Sequence, residues 1–138
     1  MPCGDLLLRA PVLGFVTVAR LSVTSSHNLH DVLDAEPQLW FPRVVASVNG
    51  YDVKVTNVAG EFPEHSHDDT DELFIVLSGR LHLDLPEGTV TSGPMDVFTV
   101  PRGVRHRPRA EPGTRIVNVE PRGTTQDATS TGLTGARL

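Results

Sequence analysis

Between residues 43 and 119 the chain alternates β-branched or large apolar residues with polar ones, in short runs separated by glycine and proline. RVVASVN (43–49) and YDVKVTNV (51–58) meet at Asn49-Gly50, a dipeptide suited to a two-residue hairpin turn. ELFIVLS (72–78) and RLHLDL (80–85) are hinged at Gly79; GTVTSG (88–93), MDVFTV (95–100), VRHRPRA (104–110) and TRIVNVE (114–120) follow. A two-residue period turns one face of each run toward a core. Short strands at such regular spacing predict an antiparallel sandwich or barrel. The lack of long helices between them argues against a parallel α/β layout.

SHNLHDVLDAE (26–36) has a different period. Leu29, Val32 and Leu33 share one helical face, Ser26 or Asn28 can cap it and Pro37 follows, which predicts a short N-terminal helix. The expected organisation is an N-terminal extension (1–25), one domain (26–121; helix 26–36, barrel about 38–121) and a loose Thr- and Gly-rich tail (122–138). Within the extension, APVLGFVTVA (10–19) is apolar but interrupted by Pro11 and Gly14. It is shorter than the about 20 residues that span a bilayer, so no membrane association is expected.

With 138 residues the chain can bury a core without disulfide staples, and its single cysteine, Cys3, cannot form an internal bridge. A reduced, cytoplasmic setting is the expectation. The net charge of −5 argues against a nucleic-acid partner. Arg102, Arg105, Arg107 and Arg109 run against that balance, but their spacing suits a solvated outer face.

HSHDDTDE (65–72) concentrates imidazoles and carboxylates. On a strand, His65 and His67 would project to one face and could meet a single ion. DDTD could turn the chain so that Glu72, at the start of the next strand, returns beside them. His106, inside VPRGVRHRP, is the natural fourth ligand. Three neutral imidazoles and a carboxylate suit a divalent transition metal with positions left open for water or substrate. Calcium and magnesium prefer oxygen donors, and structural zinc sites are usually closed by cysteine. Iron(II) is the first choice of cofactor, with manganese, zinc, nickel and copper also compatible.

GEFPEHSHDDTDELFIVLSG, from Gly60 through His65, His67 and Glu72 to Gly79, resembles the first motif of the cupin superfamily. GPMDVFTVPRGVRHRPRA, from Gly93 through Pro101 and Gly103 to His106, resembles the second. The chain departs in two places: the spacer from Gly60 to His65 is one residue short, and Ala110 stands where asparagine is usual. Neither position is a ligand. The resemblance implies a cupin-type jelly-roll β-barrel with the metal inside, held by His65, His67, Glu72 and His106, and often a homodimer.

Phe74 and Val76 share the face of Glu72 and are expected to line the cavity; Phe62 and Tyr51 are further candidates for its wall, or for core. Lys54, the only lysine, lies between Val53 and Val55. A solvated, outward position is expected for it; turned inward, it could bind an anionic group or act with Glu72 in acid/base catalysis. His82 reads as an ordinary hydrogen-bonded histidine. The functional expectation is a metal-dependent enzyme acting on a small polar metabolite, of oxygenase or of isomerase or lyase type. The alternative is a non-catalytic ligand-binding module, a sensor or pathway accessory protein.

Overall fold

The structure, a computed structural model, describes residues 19–124, 130–132 and 135–136. Cys3 and most of the expected N-terminal extension lie outside the described residues. Among the described residues, ten strands and one helix follow in order: β1 (Ala19–Arg20), α1 (Leu29–Asp34), β2 (Arg43–Val48), β3 (Tyr51–Glu61), β4 (Glu72–Ser78), β5 (Leu81–Leu85), β6 (Gly88–Ser92), β7 (Val97–Val100), β8 (Arg107–Pro121), β9 (Ser130–Gly132) and β10 (Gly135–Ala136). The strands pack as a jelly roll. Among the described residues no helix is long and apolar enough to cross a membrane.

Strand β8 organises the barrel. It pairs with β3 along most of its length, with β5 through Arg107–Ala110, and with β4 through Arg115–Val119. The sequence pattern predicts two strands here, separated at Glu111-Pro112-Gly113. These residues instead form a bulge within one strand, with Gly113 at φ 84°. A bulge bends the strand and increases its twist, which lets β8 pass from one partner to the next. The β2–β3 hairpin turns at Asn49 and Gly50, with φ of 49° and 82°, as the dipeptide predicts.

Each central strand is buried on both faces. Val58, Phe74, Val76, Leu81, Leu83, Val100 and Ile116 form the inward cluster. Val45, Val55 and Val117 form an outer cluster covered by Val32 and Leu33 of α1. The helix is shorter than its sequence predicts. Asn28 accepts a hydrogen bond from Asp31 N at 3.0 Å at its start. At its other end Asn57 Nδ2 donates to the carbonyls of Leu33 (2.9 Å) and Glu36 (2.6 Å). Ala19–Arg20, within the expected N-terminal extension, runs parallel to β2, and Ser130–Gly132, within the expected tail, pairs with Gly135–Ala136.

Lys54 is the main correction within the sheet. It is 2% exposed, and its Nζ donates to Glu120 Oε2 at 3.2 Å and to the Thr124 carbonyl at 2.8 Å. The valines beside it belong to the outer face because α1 covers that face, so Asp52, Lys54 and Thr56 turn inward. The arginine run behaves as expected of a solvated face, with Arg107 and Arg109 on Asp84 and Arg105 on Glu64.

Candidate metal centre

The site forms where the loop after β3 meets the loop before β8. His65 N donates to His106 O at 3.0 Å and His106 N donates to His65 O at 2.8 Å, an antiparallel bridge outside the regular strands. Gly103 N donates to His67 O at 2.7 Å, and Arg102 N donates to Asp71 Oδ1 at 2.8 Å. The expectation of a regular strand carrying both histidines does not hold. Pro63 removes a backbone donor just before them, and only the single bridge at His65 forms. Asp71 holds the facing loop through Arg102 N. Glu72 opens β4 and points inward with Phe74 and Val76.

The side chains of His65, His67, Glu72 and His106 converge, each offering a ligand atom within 4.8 Å of every other. All four residues are buried or nearly so. His65 Nδ1 lies 2.8 Å from Pro63 O, and His106 Nδ1 lies 3.0 Å from Val104 O. A carbonyl only accepts, so both Nδ1 atoms carry protons and both rings present Nε2 to the centre. Such outer contacts fix the tautomer and orientation of metal-binding imidazoles.

Glu72 Oε1 lies 3.1 Å from His106 Nε2 and 3.3 Å from His67 Nε2, the latter without the alignment of a hydrogen bond. Burial by itself would raise the Glu72 pKa, but the His106 hydrogen bond and the nearby His67 outweigh it and hold the carboxyl ionised. Burial pushes His106 down, and its bond to Glu72 more than reverses this. His65 is lowered to about 4 by burial and by the neighbouring His106, so it is neutral at ordinary pH. A carboxylate and neutral imidazoles are the protonation states that bind a metal, so His106, which donates from both nitrogens here, would give up its Nε2 proton to an incoming ion.

His65 Nε2 and His67 Nε2 are buried and hydrogen-bond to no group among the described residues. Buried polar atoms are rarely left so, and a shared cation would satisfy both. The chemistry of three nitrogens and one carboxylate suits a transition metal.

A cavity of about 20 Å³ adjoins the cluster, walled by Trp40, Thr56, Phe62, Phe74, Ile116 and Asn118 among others. That is room for a water or two. Phe74 and Phe62 stand where a pocket wall is expected. Val76 instead packs in the core and does not line the cavity. Tyr51, the remaining pocket candidate, is 47% exposed at the start of β3 and is also absent from the wall. Trp40 and Asn118 were not anticipated. Asn118 had a signal, a polar residue between Val117 and Val119 on an inward-facing parity; Trp40 had none beyond being the only tryptophan. His82 bonds Thr91 and Glu111, as an ordinary histidine would.

A jelly roll with three histidines and a glutamate gathered inside it defines a β-barrel with a group that could hold a metal ion. Comparison with known proteins narrows the class. A cupin domain model matches residues 53–119. The crystal structure of a cupin-2 domain containing protein from Shewanella frigidimarina NCIMB 400 is 38% identical, with a TM-score of 0.68, over 70% of this chain and 94% of that one. The chain belongs to the cupin superfamily. It is also 37% identical over 67 residues to the uncharacterized protein YdbB of Bacillus subtilis (strain 168). That match spans 48% of this chain and 59% of the length of YdbB. Hydroquinone 1,2-dioxygenase from Sphingomonas sp. TTNP3 shares the fold, at 22% identity and a TM-score of 0.66 over 81% of this chain and 36% of that one.

Proposed function

We propose that the protein is a metal-dependent cupin enzyme acting on a small metabolite, of oxygenase or of isomerase or lyase type. One observation carries this reading: the cavity wall touches the ligand set. Phe62 packs edge-on against His65 with ring centroids 5.4 Å apart, Phe74 stands 6.3 Å from His106, and Asn118 bonds Glu72. A molecule in this cavity would be separated from the ligands of an ion by no more than the side chains of Phe62, Phe74 and Asn118.

His65, His67, Glu72 and His106 would hold the ion, with iron(II) favoured and manganese, zinc, nickel or copper compatible with the same donors. When bound, it would supply Lewis acidity or a site where dioxygen and substrate meet. The protein does the rest. Phe62, Phe74 and Trp40 exclude water and provide flat apolar walls, while Thr56 and Asn118 offer hydrogen bonds to the polar part of a substrate. At about 20 Å³ the cavity is far below the usual size of a ligand site, so the substrate is small or the walls yield on its entry. Glu72 serves as ligand and as the carboxylate nearest any proton transfer. Lys54 is engaged by Glu120, and an acid/base role for it would require that pair to open. A homodimer in the cytoplasm completes the proposal.

The alternative, a non-catalytic binding module, draws support from the same cavity. Among the wall residues none is titratable, which leaves acid/base work to the ligands themselves. Oxygen uptake by the iron(II)-loaded protein, with a panel of small aromatic and hydroxylated acids, separates the readings. Uptake dependent on substrate and abolished by Glu72→Gln supports an oxygenase. Transformation of a panel compound without uptake supports isomerase or lyase chemistry. Binding of panel compounds with no turnover on any metal leaves the binding module.

A further inference from the structure

Asn118 sits inside the barrel on β8, 4% exposed, facing Lys54 of β3 on one side and Phe74 of β4 on the other. Its Nδ2 lies 3.3 Å from Glu72 Oε2 and 3.4 Å from the Leu73 carbonyl oxygen. Both neighbours are acceptors only, so the amide edge facing them must be the NH₂. Both contacts are long, as one NH₂ shared between two acceptors would be. Glu72 is thereby divided: Oε1 lies among the imidazoles of His67 and His106, and Oε2 is turned to Asn118.

This division has a consequence for coordination. A carboxylate that chelates an ion through both oxygens fills two positions; one held at its second oxygen by a donor fills one. We propose that Asn118 is a positioning residue of the metal centre, holding Glu72 Oε2 so that the carboxylate meets the ion through Oε1 alone and a coordination position stays open beside the cavity. The same carboxamide lines that cavity, so the residue that keeps the position open borders the space from which a substrate would reach it. The proposal rests on the metal-dependent reading above and deepens it. Outer contacts of this kind commonly change metal affinity by 10- to 100-fold.

Two measurements test it, neither depending on turnover. The first is the crystal structure of the full chain soaked with manganese(II). Glu72 bound through Oε1 only, with Asn118 Nδ2 still on Oε2, is the result expected; chelation through both oxygens with Asn118 displaced would overturn the assignment. The second uses Asn118→Leu, close in size and suited to a row that already holds Ile116. Its manganese(II) affinity should fall 10- to 100-fold, and its cobalt(II) visible spectrum should weaken as the carboxylate chelates and coordination number rises. A folded Asn118→Leu protein with the wild-type affinity and spectrum would overturn the proposal while leaving the metal reading intact. Failure of the wild-type chain to bind either ion would overturn both, so the two failures are distinguishable. Should the leucine variant not fold, the manganese(II) structure of the wild type decides alone.

Discussion

His65 and His106 bind each other through their backbones, exchanging hydrogen bonds of 3.0 and 2.8 Å, while their imidazoles stand 4.4 Å apart between centroids. The two motif segments are therefore joined through their backbones before any ion is considered. Gly103 supports this junction from the next turn, donating to His67 O with its φ at 78°. A side chain there would meet open space, so the cost of replacing it is conformational. Gly103→Val is expected to destabilise the fold by more than about 1 kcal/mol. It should weaken manganese(II) binding as well, because the loop carrying His106 shifts. Thermal melting and metal titration of one preparation measure both effects.

Gly79 makes a stricter demand. Its φ is 82°, and a Cβ at that position would overlap Thr114, whose hydroxyl accepts a hydrogen bond from Arg80 N at 2.9 Å. Strain and overlap act together, so Gly79→Ala should cost more than about 1 kcal/mol by urea unfolding. A variant as stable as the wild type would mean that the β4–β5 turn is not held as described.

Lys54 and Glu120 form an ion pair buried inside the barrel, with side chains 3% and 0% exposed. Removing the lysine takes the cation away from a buried carboxylate, and the usual cost of breaking such a pair is about 3–5 kcal/mol. Lys54→Met should lose stability on that scale while retaining manganese(II) binding. The combined replacement of Lys54 and Glu120 by Met and Leu should recover much of the loss. Normal stability of Lys54→Met would remove the structural role of the pair.

Asp52 is one source of acid sensitivity. Arg20 grips it through two hydrogen bonds of 2.9 and 3.1 Å, and Ser47 adds one of 2.8 Å. Arg20 foremost, then Ser47 and Arg122, outweigh burial and lower its pKa from 3.8 to about 2. The folded value lies below the unfolded one, so this stabilisation is complete above about pH 4 and is lost as pH falls toward 2. With Arg20 part-exposed and screened, the contribution is about 1 kcal/mol. Asp52→Asn should therefore be less stable than the wild type at pH 7, and the difference should shrink between pH 4 and 2.

The sequence was most legible where one periodicity governs one face. The strand runs, the Asn49-Gly50 turn and the motif residues from Gly60 to His106 follow from spacing, and the four candidate ligands converge in space. It was least legible where both faces of a strand are buried. Val53 and Val55 mark the outer face of β3 because α1 covers it, so alternation alone suggested that Lys54 is solvated. The partner that makes an inward lysine tolerable, Glu120, lies 66 residues away and leaves no local mark. The bulge at Glu111–Gly113 hid for a related reason. Pro112-Gly113 reads as a strand break, and only pairing with β3 keeps the strand continuous across it. Tyr51 reads as a candidate for wall or core, yet its position at a hairpin end leaves it exposed.

The central claim is that His65, His67, Glu72 and His106 share one metal ion. Elemental analysis of the purified chain beside its His67→Ala variant, after identical reconstitution with iron(II) or manganese(II), tests it most directly. The account predicts close to one ion per wild-type chain and a sharp loss in a His67→Ala protein of unchanged fold. Full occupancy in that variant, or none in the wild type with any divalent transition metal, would contradict it.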